Sequence, residues 1–140
     1  MMDLVEISDR MEITALITDY STAVDTRDFD RLRELFTPEA VIDYSAVGGA
    51  VGTTEQVVPW LRENLALFSD YQHLNGNHSI TLDGDTASAT TMCFNPMVLA
   101  GGEKQQMLLV GVWYHDTFAR IDDTWRFTGR REQKSFMHAV

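Results

Sequence analysis

Four polar side chains in this sequence are of the types from which proton-transfer chemistry is built: Tyr20, Asp25, Tyr44 and His73. A carboxylate beside an imidazole fixes the ring tautomer and stabilises the imidazolium that forms when the ring takes a proton. Asp25 ends an apolar-periodic segment, where the negative end of a helix dipole would raise the proton affinity of its carboxyl group. Tyr20 lies on the apolar stripe of that segment, Tyr44 ends a short strand-like run, and His73 opens the first long one. In a mostly apolar pocket such groups move toward proton affinities useful for acid–base work. By residue type alone, a simple turn cap at Asp25 and a surface histidine at position 73 are competing readings.

Other chemistries find less support. Cys93 sits mid-strand in apolar company and reads as a core thiol. No serine occupies a nucleophile-elbow pattern, and the glycines fall in hairpins and loops, not in a nucleotide-binding fingerprint. His73 and His78 of QHLNGNHSI are an odd number of residues apart, so one continuous strand would turn them to opposite faces, and no metal site is expected. The net charge of −10, from 21 acidic and 11 basic residues, disfavours nucleic acid and anionic membrane surfaces as partners. A lone cysteine, an acidic N-terminus and the absence of an apolar run near the roughly 20 residues of a membrane span lead to the expectation of a cytoplasmic protein.

The elements that must position these residues can be read from periodicity. Apolar residues at helical spacing predict a helix over about Asp9–Val24, opened by an Asp9–Glu12 capping pair. A short helix carries Phe29, Leu32, Leu35 and Phe36 and stops at Thr37-Pro38. Residues 40–44 read as a strand. A third helix follows Thr53 and buries Val57, Val58, Trp60, Leu61, Leu65 and Phe68. From Gln72 the texture becomes strands, over Gln72–Leu82, Thr86–Ala100, Lys104–Arg120 and Trp125–Phe136, separated by Asp83-Gly84-Asp85, Gly101-Gly102 and Ile121–Thr124. Helices followed by a long meander define an α+β class. The 140 residues read as one domain: a cone-shaped α+β barrel with N-terminal helices on the concave face of a curved, mostly antiparallel sheet, enclosing a pocket.

The run YSTAVDTRDFDRLRELFTPEAVIDY, together with QHLNGNHSI, LDGDTASA and IDDTWRFTGR, resembles the SnoaL-like branch of the nuclear transport factor 2-like superfamily over nearly the whole chain. The resemblance implies the cone fold. Members of this branch that resemble the chain eliminate water or halide without a cofactor, through an Asp–His pair, and their Asp and His match Asp25 and His73. A first-helix tyrosine matches Tyr20, a strand-end tyrosine that holds the substrate carbonyl matches Tyr44, and an arginine on the final strand matches Arg130. Departures accompany these matches: a second active-site histidine of one dehydratase falls near Asn95–Met97, and its serine and asparagine fall on Val112 and Tyr114. Strict alternation puts Arg131, not Arg130, on the face of Trp125 and Phe127, an order that a bulge would reverse.

The resulting expectation is a cofactor-independent, dehydratase-like lyase with Asp25, His73, Tyr20 and Arg130 as catalytic residues and no cofactor or metal. Tyr44, Trp60, Asn95, Met97 and Trp113 would hold a small hydrophobic substrate, cyclic and polycyclic ones included. Phe29, Leu61, Phe68, Met92 and Phe94 would complete the wall. An isomerase or cyclase using the same pair, or a non-catalytic binding or dimerisation module, are the alternatives. Val110, Val112, Phe118 and Phe127 are expected on the convex face, where a homodimer or homotrimer would cover them.

Overall fold

The computed structural model describes residues 1–140. Helix α1 spans Leu4–Asp25, with Asp3 as its N-cap accepting the Glu6 N–H at 2.8 Å. Asp9 is therefore mid-helix. It lies buried on the same stripe as Ile13, Leu16, Ile17, Tyr20 and Val24, and accepts bonds from Arg120 at 2.5 Å and the Trp125 indole at 3.0 Å. A cap-type residue in a helix interior reads like a helix start until its long-range partners are known.

Helix α2 is Phe29–Glu34, and strand β1 follows over Phe36–Asp43. Pro38 does not delay the strand, because it lies where the pairing register shifts between Phe36 and Val41, so its missing N–H breaks no regular ladder. A 3₁₀ turn at Ser45–Val47 and the two-residue strand β2, Val51–Gly52, lead into α3, Thr54–Leu65. Gln56 accepts the Thr53 N–H at 3.0 Å as the sequence spacing predicts. Phe68 lies beyond α3 and opens β3, Phe68–Tyr71.

Strands β4 (Leu74–Asp83), β5 (Thr86–Leu99), β6 (Met107–Ile121) and β7 (Thr124–Ala139) form the meander. The β6–β7 turn is built on Asp122 and Asp123 at φ 50° and 61°, the left-handed pair that a tight hairpin requires. The sheet order is β2-β1-β7-β6-β5-β3, with β4 pairing β5 alongside β3. Every pairing is antiparallel except β1 with β7, which is parallel. The three helices pack on the concave side over a core of 29 buried apolar residues, giving the α+β cone. No helix is long and apolar enough to cross a membrane.

The strand expected over Gln72–Leu82 starts only at Leu74, and Gln72-His73 forms a break between it and the unforeseen β3. The cause lies on β5. The Gln72 N–H donates to the Pro96 carbonyl at 3.2 Å, but Pro96 has no N–H to return the bond. The Asn95 side-chain amide takes its place, donating to the Gln72 carbonyl at 2.7 Å. Released from the ladder, His73 can turn toward α1.

Candidate active site

Three side chains tie the end of α1 to the segment that runs from the end of α3 through β3 to this break. The Tyr71 hydroxyl donates to the Val24 carbonyl at 2.7 Å, and the Arg27 guanidinium donates to the carbonyls of Leu65 and Phe68 at 3.0 and 2.9 Å. Arg27 itself sits at φ 59°, the left-handed turn that carries the chain off the helix. The third tie is Asp25. Its Oδ2 accepts the His73 backbone N–H at 3.0 Å, and its Oδ1 lies 2.6 Å from His73 Nδ1. With Nδ1–H given to the carboxylate, Nε2 is the ring nitrogen left to accept a proton. His73 lines the cavity, and Asp25 stands behind it.

That cavity has a volume of about 220 Å³. Tyr20 and Tyr44 meet in it through a hydrogen bond between their hydroxyls. One hydroxyl must donate to the other, which leaves a single phenolic proton free for a ligand. Burial raises Tyr20 to about 12, against the opposing pull of the Arg130 charge, and burial also raises Tyr44 well above the usual tyrosine value. Both are therefore neutral donors. Trp60, Asn95 and Met97 also line the cavity, with Leu61, Leu65, Phe68 and Tyr114 completing much of the wall.

Arg130 faces inward. Thr117 pairs with Gly129 and Phe118 with Phe127, so Thr128 is an extra residue and the alternation flips after it. Arg130 nevertheless does not reach the cavity surface. Its guanidinium donates to both oxygens of Asp116 at 2.7 and 2.9 Å, both side chains being fully buried, and lies 4.0 and 3.7 Å from the ring centres of Tyr20 and Tyr114. It acts behind the wall, holding two of the wall's rings.

Trp113 is a correction. On β6 the even residues Leu108, Val110, Val112 and Tyr114 face the cavity, so Trp113 lies on the outer face, opposite Met92 and Gln133. Met92 and Phe94 are likewise outside, while their neighbour Cys93 is buried. Phe29 belongs to the core under Arg62. Val110 and Val112, expected on the convex side, line the cavity, and Phe118 and Phe127 are core residues. Large apolar side chains occupy both faces of these strands, so hydrophobicity alone could not assign parity.

Glu132 was missed by sequence reasoning. It follows Arg130 by two on the inward face, pairs across the sheet with Tyr114, and lines the cavity. Its Oε2 is buried without a hydrogen-bond partner. Burial pushes its carboxyl up to about 8, over the opposing attraction of Arg130, and the negative charge of Asp43 adds to the rise. The bulge that turns Arg130 inward turns Glu132 inward too, and no sequence signal marks that bulge. No cluster of three or more His, Cys, Asp or Glu side chains is placed to hold a metal ion.

The chain is thus an α+β cone whose hollow brings together an imidazole–carboxylate pair and two neutral phenols. The sequence profile of the SnoaL-like domain matches residues 5–131, and the chain belongs to that family. An uncharacterized protein of Mycobacterium tuberculosis is 50% identical over 136 residues, covering 97% of this chain and 92% of the relative. A solved structure from Novosphingobium aromaticivorans, provisionally named an aromatic ring hydroxylase, is similar with a TM-score of 0.86 at 26% identity, covering 96% of this chain and 94% of that one. The hexachlorocyclohexane dehydrochlorinase LinA-type3 of Novosphingobium barchaimii is similar with a TM-score of 0.84 at 20% identity, covering 99% and 94%. Likeness at that identity establishes the shared fold.

Proposed function

We propose that this chain is a cofactor-independent lyase of the dehydratase type, acting on a small hydrophobic carbonyl compound. The observation that carries the reading is the double grip of Asp25 on His73, which presents one ring nitrogen to an apolar cavity. His73 Nε2 removes a proton from the carbon beside the substrate carbonyl, and Asp25 stabilises the imidazolium. The free phenolic proton of the Tyr20–Tyr44 pair meets the carbonyl oxygen as charge develops there, the kind of contact whose loss costs roughly 3–4 kcal/mol of barrier. Arg130, held by Asp116, keeps Tyr20 in place from behind.

The test is a panel of ring-bearing hydroxy ketones in deuterated water, followed by mass spectrometry for loss of water and by NMR for exchange beside the carbonyl. Wild type should show both. His73→Ala should lose both by about 10²–10⁴-fold, and Asp25→Asn should lose turnover while circular dichroism is unchanged. Full turnover by His73→Ala removes the general base. The same pair and phenols would serve an isomerase or cyclase, whose product keeps the mass of the substrate, so product mass separates the two.

A further inference from the structure

Glu132 is the one acidic side chain among the cavity-lining residues. Its Oε2 is shut off from solvent and bonded to nothing, although a guanidinium lies two residues away on the same face. That guanidinium gives Nε and Nη2 to Asp116, and its Nη1, buried and likewise without a partner, makes no hydrogen bond to Glu132. The titratable and charged groups facing Glu132 are Tyr20 on α1, Asp43 and Tyr44 at the end of β1, Cys93 on β5, Tyr114 on β6 and Arg130 on its own strand. An unpaired carboxylate in such surroundings is expensive, and the group escapes the cost by keeping its proton. A neutral carboxylic acid is a donor as well as an acceptor.

We propose that Glu132 is the general acid of this site and that the substrate leaving group is a hydroxyl, delivered as a β-hydroxy carbonyl compound. The proposal rests on the elimination reading above. His73 Nε2 takes the proton from the carbon beside the carbonyl, and the electron pair of that C–H bond becomes the carbon–carbon double bond. The C–O bond breaks, its electron pair leaves with oxygen, and the Glu132 proton joins that oxygen so that water departs. Glu132 is left as a carboxylate and His73 as an imidazolium. Loss of the imidazolium proton to water and uptake of one by Glu132 restore both groups, so the net reaction is substrate to unsaturated carbonyl plus water. A hydroxide is a poor leaving group and needs this proton, whereas a halide or a nitrophenoxide does not. The acid thus selects alcohols, and His73 alone would suffice for better leaving groups.

Two measurements test this. In protein labelled with ¹³C at the glutamate side-chain carboxyls, the resonance absent from Glu132→Gln should titrate near pH 8, apart from the other glutamates. A resonance titrating with the rest overturns the proposal. Turnover is then read with two probes, a phenyl-bearing β-hydroxy ketone and a β-(nitrophenoxy) ketone. Glu132→Gln, which matches the protonated acid in size and charge, should lose the first by about 100-fold or more and the second far less. His73→Ala should lose both. Equal losses on both probes in Glu132→Gln overturn the acid role while leaving the His73 base standing. If wild type turns over neither probe, the elimination reading fails and the acid role fails with it.

Discussion

Glu132 and Cys93 show burial acting on two residues with opposite relevance. The Cys93 thiol is pushed up to about 11 by burial, which keeps it a protonated core group and unsuited to nucleophilic attack. Burial of Glu132 leaves a proton donor facing the cavity instead. That proton also enters the stability of the fold. The unfolded chain releases it near the ordinary value of 4.5, while the folded chain keeps it to about 8. Between those values the folded state binds more protons, so its stability falls as pH rises, by at most about 1.4 kcal/mol per pH unit. The contribution is complete below the lower value and lost through the upper one. Glu132→Gln should therefore gain stability relative to wild type as pH is raised across this window, read by urea denaturation at three pH values, and should gain nothing below it. Parallel curves would mean that the carboxyl ionises freely.

At the level of elements, two interruptions build the site, and neither belongs to a regular strand. The break at Gln72-His73 turns the imidazole toward α1, and it exists because Pro96 cannot return a bond that Asn95 supplies instead. Asn95→Ala should leave the Gln72 carbonyl to water and cost about 0.5–1.5 kcal/mol in denaturant titrations with an unchanged slope. An unchanged midpoint would show that the break holds without it. The extra residue Thr128 is the second interruption, and it turns Arg130 and Glu132 inward. These interruptions mark the limit of what the sequence makes legible. Helix stripes, hairpin turns and the Asp25 and His73 positions follow from spacing and resemblance. The strand break, the inward turn after Thr128 and the outward Trp113 depend on which partner lies across the ladder, and a single strand does not carry that information. Asp9 failed as a cap for the same reason, since its partners lie more than a hundred residues away.

For the whole molecule, the hollow between helices and sheet is an incomplete core, and its emptiness can be tested directly. Val112→Phe should fill part of the 220 Å³ cavity and hold or raise the melting temperature, since added apolar contacts replace missing ones. The same change should abolish the rise in melting temperature that a phenyl-bearing ketone gives wild type. A ligand-induced rise that survives would place binding elsewhere. The parallel pairing of β1 with β7 has a further consequence, for the order in which the protein can be made. Residues 36–43 have their long sheet neighbour in β7, which leaves the ribosome after all six other strands. A nascent chain emerging from a ribosome must hold its early segments open while the meander is completed, so assembly waits on the C-terminal strand and relies on sequence-distant contacts that form slowly.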